Sequence, residues 1–291
     1  GQAAEDYTAS VTFGDSYSVT SPVIDGYTAD KTVVSDNMPA NNVEVTVTYT
    51  KRSDLSYTVH YYWNGTTTSV KESKTVTGQT FNASVTEKPI AIEGYTPVSM
   101  ASKTVTITIG ENVINFYYYK NVELTAVSDS KVYNGSLQTI SGYTGAPEGV
   151  TFNGISASGS GTDVGEYNVI FDGTPVGKVD TTNKYIVTET TPGKLTITAD
   201  ATAIVVKIKG NTLTKTYDGN EYTVEGYDVV SISDTRYTAT DFSFTGTAEA
   251  KGTNVKTDGY SMGLTAAQFT NTSENFSNVK FEVTDGKLTI N

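Results

Sequence analysis

Lys131-Val132-Tyr133-Asn134-Gly135, followed by Gly142-Tyr143, returns as Lys215-Thr216-Tyr217-Asp218-Gly219, followed by Gly226-Tyr227, and this repetition decides the fold. Both halves of the phrase recur after 84 residues (131 to 215, 142 to 226). Two further phrases return in the same order. Gly161-Thr162-Asp163-Val164 with Gly165-Glu166-Tyr167 becomes Gly252-Thr253-Asn254-Val255 with Gly259-Tyr260, and Gly193-Lys194-Leu195-Thr196-Ile197 becomes Gly286-Lys287-Leu288-Thr289-Ile290. Such a pattern means one folded unit used again, and it argues against an enzyme with a unique active site.

Between these phrases the sequence alternates with period two, the pattern of a strand with one buried face. Val43, Val45, Val47 and Tyr49 share one face, and Glu44, Thr46, Thr48 and Thr50 the other. Eight Asn-Gly or Asp-Gly pairs, starting at Asp25, Asn64, Asn134, Asn153, Asp172, Asp218, Asp258 and Asp285, punctuate the strands. Both residue types tolerate the positive φ that tight hairpin turns demand. No helical period is sustained, and one brief coil is predicted within residues 264–269. The predicted class is all-β.

A net charge of −12 leaves nothing to neutralise a run of phosphates, which argues against nucleic acid and equally against an anionic membrane surface. Cysteine is absent, so neither disulfides nor thiolate metal sites support the fold. Small domains then need neighbour packing, calcium or an internal crosslink. No stretch reaches the length of a membrane span, and no membrane insertion is expected. Gly1-Gln2-Ala3 opens the chain without Met. It reads as a monomeric piece of a longer protein, with any export signal or anchor expected outside it.

The first 120 residues carry a second, weaker repeat. Ser18-Val19-Thr20, Pro22 and Ile24-Asp25-Gly26-Tyr27 resemble Ser84-Val85-Thr86, Pro89 and Ile92-Glu93-Gly94-Tyr95. Each copy is predicted to end in a strand running into a basic residue, 43–51 and 113–120, and Tyr27 to Tyr49 spans the same 22 residues as Tyr95 to Tyr117. The second copy opens with an extra hairpin, 57–63 and 68–77 around Asn64-Gly65. The first has only a return strand near 7–13, so an unpaired sheet edge is expected there. The chain thus reads as four small β-domains in tandem, residues 1–52, 53–120, 121–199 and 200–291. Their short joins, low in Gly and Pro, predict an elongated rod.

Residues 56–120 resemble a mucin-binding protein (MucBP) repeat, through Tyr57-Thr58-Val59-His60-Tyr61, the 74–78 strand, Ile92-Glu93-Gly94-Tyr95 and the closing Asn115-Phe116-Tyr117-Tyr118-Tyr119-Lys120. Residues 5–52 resemble a shortened relative. Residues 121–199 and 200–291 resemble the MBG, or YDG, modules of Gram-positive surface proteins. They do so through Tyr133-Asn134-Gly135 and Tyr217-Asp218-Gly219, the Gly-Tyr that follows, the terminal Gly-Lys-Leu-Thr-Ile, and Phe269-Thr270-Asn271 with Asn275-Phe276. Asn134 departs from the family's Asp, but both serve the same turn. The resemblance implies β-grasp or ubiquitin-like sheets for the first pair and immunoglobulin-sized sheets or sandwiches for the second. It also implies an extracellular, wall-attached bacterial protein for adhesion or display, with mucin-type host glycans or glycoproteins as partners. The alternative is a passive stalk that holds a separate binding head away from the wall. Modules of this kind often carry a Lys–Asn isopeptide bond; Lys131 and Lys215 are the candidate lysines, although no motif for the crosslink is present.

His60 is the single histidine, too few for a catalytic constellation or an imidazole metal site in a repeat protein. No catalytic residue, cofactor or resident metal is assigned, and no enzyme is expected. Calcium at a join, on Asp200 or Asp129, is the one metal considered, without a calcium-loop motif to carry it. Parity places Ile114, Phe116 and Tyr118 inward, matching Val45, Val47 and Tyr49, with Val59 and Tyr61 inward beside them. His60, Tyr62, Tyr117 and Tyr119 then face outward on adjacent strands, as candidates to stack on a sugar ring or as ordinary cross-strand pairs. Tyr133, Gly135, Tyr143, Tyr217, Gly219 and Tyr227 are predicted to be structural anchors of the repeated phrase and not ligand contacts. Truncating such a tyrosine costs about 3–5 kcal/mol where it is buried.

Overall fold

Alternation becomes strand in this protein wherever a partner strand lies alongside. The computed structural model describes residues 4–291, and the opening Gly1-Gln2-Ala3 lies outside the described residues. The chain is all-β, arranged in many small sheets. Among the described residues a single 3-10 turn, Ala266–Gln268, falls inside the stretch predicted to coil briefly. Two compact units are present. One holds the described residues up to Glu123 with Ala146–Asn153 and Val176–Glu189; the other holds Leu124–Gly145, Gly154–Pro175 and Thr190–Asn291.

In the first unit, β1 (Ser16–Thr20), β2 (Tyr27–Ala29), β3 (Val33–Asn37) and β4 (Tyr49–Lys51) form two antiparallel pairs, β1 with β3 and β2 with β4. β5 (Leu55–Trp63) and β6 (Ser69–Gln79) form the hairpin around Asn64-Gly65. β7 (Ser84–Glu87), β8 (Tyr95–Pro97) and β9 (Lys103–Thr106) follow, with β7 antiparallel to β9 as β1 is to β3. β10 (Val113–Ala126) runs parallel to β5, from Val113 opposite Thr58 to Tyr118 opposite Trp63, and takes β8 antiparallel. Parallel neighbours need a long crossover, which β6 to β9 supply. The core is Leu55, Tyr57, Val59, Tyr61, Ile107, Ile114, Phe116 and Tyr118.

The first of the two weaker copies departs from expectation in three ways. The strand predicted over 43–51 is reduced to Tyr49–Lys51, and Val43 and Val45 stay 40% and 41% exposed. Residues 7–13 form no strand, and Tyr7 and Phe13 are 69% and 72% exposed. The reason is the ladder. In the second copy β5 lies between β6 and β10, and no described residue takes that place in the first. The third departure concerns register. Tyr27 lies opposite Lys51 and Tyr95 opposite Lys120, so Tyr49 corresponds to Tyr118, as the parity matching has it, and not to Tyr117, as the equal 22-residue spacing suggests.

In the second unit the repeated phrases fold alike down to their pairing. Asp129–Val132 lies parallel to Gly193–Thr198 with Lys131 opposite Ile197, and Thr212–Lys215 lies parallel to Lys287–Ile290 with Lys215 opposite Ile290. Gln138 opposite Gly161 returns as Tyr222 opposite Gly252. Gly135 and Gly219 both turn the chain at positive φ, +78° and +82°, where a side chain would be strained. Residues 126–197 enclose one apolar cluster, around Val169, Leu195 and Ile197. Residues 204–290 enclose two, one around Val206 and Phe269 and the other around Leu264 and Leu288.

The anchor tyrosines do not share one environment. Tyr133, Tyr143 and Tyr227 are half-buried, with Tyr143 against Phe171 and Tyr227 between Phe244 and Phe269. Tyr217 is 53% exposed, which corrects its expected role as a packing anchor: only its backbone is held, by the N–H donated to Asn291 O. Lys131 donates to Thr139 O and Lys215 sits over the Tyr222 ring. Neither is the buried amine that an isopeptide bond requires.

Candidate functional site

The predicted aromatic residues sit on the outer face of β5 and β10. Alternation places them there: Val59, Tyr61, Ile114, Phe116 and Tyr118 fill the inner face, all at or below 3% exposure. Burial pushes the Tyr61 and Tyr118 hydroxyls up in pKa, so both stay neutral. Tyr118 uses its hydroxyl to tie a loop, donating to Ile90 O at 3.0 Å and accepting from Ile90 N–H at 3.1 Å.

On the outer face the parallel register sets Asn115 beside His60 and Tyr117 beside Tyr62. The His60 and Tyr62 rings stack with centroids 5.4 Å apart, and Tyr62 and Tyr117 lie 6.1 Å apart at 37°. Three of the four predicted residues therefore form one aromatic row. His60 Nδ1 lies 2.6 Å from Ser73 Oγ, which fixes the ring across the hairpin. Tyr117 is 37% exposed, and Lys103 Nζ stands 5.6 Å from its ring centroid while donating to Asn115 O. A shallow depression of about 750 Å³ adjoins the row, lined by Asn64, Gly65, Thr66, Thr67, Thr68 and Tyr117.

Tyr119 stands apart from the row: its hydroxyl donates to Asn183 Oδ1 at 3.1 Å. The same loop clamps the hairpin tip. Trp63 Nε1 donates to Lys184 O at 2.9 Å, Asn64 Nδ2 donates to Asn183 O at 2.7 Å, and Tyr185 meets the Trp63 ring edge-on at 5.5 Å. Sequence reasoning missed Trp63, Lys103 and Asn183. Trp63 carried one signal, as the only tryptophan and the neighbour of an Asn-Gly turn. Nothing local marks Asn183, which meets Asn64 across 119 residues.

The residues considered for calcium are otherwise engaged. Hydrogen bonds from the Thr202 hydroxyl and backbone N–H, and then from Arg236, hold the Asp200 carboxyl down at about 2. Asp129 Oδ1 accepts the Ser130 N–H. Among the described residues no group of three or more His, Cys, Asp or Glu could hold a metal ion. Nor is any helix among them long and apolar enough to cross a membrane, which says nothing of a β-barrel.

Comparison with known proteins bears on the first fifty or so residues. The family model for a Muc B2-like domain matches residues 4–53. That stretch is thus similar to a mucin-binding-type repeat. No curated protein matches the chain. Among solved structures, the Bacillus anthracis TIE protein is similar at 11% identity and a TM-score of 0.26, over 87% of this chain and 54% of that one, a likeness too low to carry inference. The present chain spans about half the length of that protein.

Proposed function

We propose that the chain is a segment of an exported adhesin or display protein, attached to the wall of a Gram-positive bacterium through regions outside residues 1–291. In this reading it comprises four modules, residues 1–52 and 53–120 of mucin-binding type and residues 121–199 and 200–291 of MBG type. The outer face of β5 and β10 meets a sugar ring of mucin-type host glycans or glycoproteins. One observation carries the reading: His60, Tyr62 and Tyr117 form a row of rings on an outer sheet face, beside an open depression edged with threonine hydroxyls. Aromatic faces supply apolar area for the C–H face of a sugar, and the hydroxyls and Lys103 supply hydrogen bonds at its rim.

A site this open binds weakly, with a dissociation constant on the order of 1 mM, about −4 kcal/mol. Titration of the whole chain with mucin-type oligosaccharides should move the ring signals of His60, Tyr62 and Tyr117 by NMR. The double variant Tyr62→Ala, Tyr117→Ala should abolish those shifts and leave the core signals of Val59 and Phe116 in place. Silent rings at millimolar sugar, together with an empty glycan array, would leave the stalk reading in its stead. The engagement of Tyr119 with Asn183 favours that second reading, because it turns one predicted sugar contact into a structural one.

A further inference from the structure

Tyr133 and Tyr217 stand at the same place in two copies of one fold, and only one of them is covered. The equivalence extends through the surrounding surface. Tyr133 N–H donates to Thr198 O, and Tyr217 N–H donates to Asn291 O. Tyr167 donates its hydroxyl to Asp163 O at 2.9 Å, and Tyr260 donates to Asn254 O at 3.0 Å. A side chain at Gly161 would strike the Tyr167 ring at 2.2 Å, and one at Gly252 the Tyr260 ring at 2.3 Å.

In the covered copy, three residues of the 200–291 segment fill this surface. The Arg236 guanidinium lies 5.8 Å from the Tyr133 ring centroid, and its Nη1 donates to Tyr133 O at 3.4 Å. Phe276 meets Tyr133 edge-on at 5.2 Å. Asn275 bridges the second loop, its Nδ2 donating to Asp163 Oδ1 at 3.0 Å and its Oδ1 accepting Val164 N–H at 2.8 Å. Asp200 and Asp234 each hold Arg236 Nη2 at 2.6 Å, so the guanidinium is set before it meets the ring. In the second copy the same surface faces solvent. Tyr217 is 53% and Val255 60% exposed, and Asn254 is exposed as well. A Cβ on Gly135 would lie 3.1 Å from Arg236, while one on Gly219 would meet nothing within 4 Å.

We propose that the surface formed by Tyr217, Gly219, Asn254 and Val255 is a docking face for a further module of the 200–291 kind, joined in cis as residues 200–291 are joined to 121–199, and presenting Arg, Asn and Phe where Arg236, Asn275 and Phe276 stand. The occupant follows from the chemistry of the filled copy. The ring of Tyr217 offers the same cation and edge-on contacts, the side-chain oxygen of Asn254 accepts the amide that Asp163 accepts, and Val255 N–H offers the same donor. A second molecule of this chain does not supply the set, because its Arg236, Asn275 and Phe276 are taken up by its own Tyr133 and Asp163. The inference is independent of any glycan site on β5 and β10.

The test appends a duplicate of residues 200–291 directly after Asn291 of the whole chain. Amide exchange at Val255 should slow by about tenfold or more in the extended chain, and the Tyr217 ring signals should shift. Tyr217→Ala should leave the parent chain's melting unchanged, its side chain being exposed, yet return Val255 exchange in the extended chain to the parent rate. Replacing the duplicate's counterpart of Arg236 by alanine should act in the same direction. Unchanged Val255 exchange in the extended chain would overturn the proposal, as would protection that survives Tyr217→Ala. Self-association of the parent chain that Tyr217→Ala abolishes would overturn it too.

Discussion

Residues 16–51 and 84–120 carry the same turns and the same strand pairs, β1 with β3 and β2 with β4 in one, β7 with β9 and β8 with β10 in the other. Only the second encloses a core. Within residues 4–54 the one buried residue is Gly26, and what covers it is the Phe81 ring of the neighbouring copy. The difference lies in β5, which brings Val59 and Tyr61 against Ile114, Phe116 and Tyr118. Repeated phrases of the Ser-Val-Thr and Gly-Tyr kind set turns and short ladders. Apolar burial needs the long-range strand that those phrases do not encode. The family match at residues 4–53 falls on the copy without a core of its own.

The sharpest way to break this contrast is to truncate the two equivalent tyrosines. Tyr118→Ala removes a fully buried ring together with both hydrogen bonds to Ile90 and should cost about 3–5 kcal/mol. Tyr49, half-buried with its hydroxyl donated to Pro22 O, should cost about 1 kcal/mol on the same change. Denaturant-dependent hydrogen exchange on the whole chain, read separately over β1 to β4 and over β5 to β10, measures both. Equal costs would show that the first copy has an interior of its own.

Much of this architecture was legible in the sequence, for a physical reason. Period two assigns faces without any knowledge of partners, so Ile114, Phe116 and Tyr118 could be placed inward and Tyr117 outward, as their exposures bear out. The 84-residue echo was legible as well, because turn glycines such as Gly135 and Gly219 are demanded locally by their φ. What failed depended on a partner distant in sequence. Residues 43–48 alternate correctly yet have no ladder, and Tyr217 repeats Tyr133 in sequence but lacks an Arg236 above it. Of the candidate site, the row of His60, Tyr62 and Tyr117 followed from strand parity. The diversion of Tyr119 did not, since Asn183 lies 64 residues away.

A smaller effect separates the copies by pH. Where the first copy has Ser21 after Ser18-Val19-Thr20, the second has Glu87 after Ser84-Val85-Thr86. Lys74 Nζ and the Tyr57 hydroxyl both donate to Glu87 Oε1 at 2.6 Å and hold its carboxyl below the usual range. A carboxylate whose pKa is depressed on folding contributes stability above its unfolded pKa and loses it as pH falls through the folded value. Acid should therefore loosen the second copy first. Glu87→Gln should cost about 1 kcal/mol at neutral pH, allowing for the exposure of Lys74, and remove that acid sensitivity. Protection factors over residues 55–118 that fall identically in Glu87→Gln and the parent as the pH drops below the usual carboxylate range would rule out Glu87 as the source.

The smallest expected effect is the most diagnostic of why the first copy looks as it does. Val45 corresponds to Ile114 in register, but it is 41% exposed where Ile114 is 3% exposed. Val45→Thr keeps the β-branched shape and places a hydroxyl on a side chain that already meets water, so it should change stability by less than about 0.5 kcal/mol. A threonine in place of Ile114 would bury an unpartnered hydroxyl and remove apolar area, and should cost several-fold more. If Val45→Thr in the whole chain instead shifted unfolding as far as the Ile114 variant does, residues 43–48 would have to be packed against something in solution. A strand in the place of β5 would then be the first thing to look for, because alternation in 43–48 already presents the face that such a strand would cover.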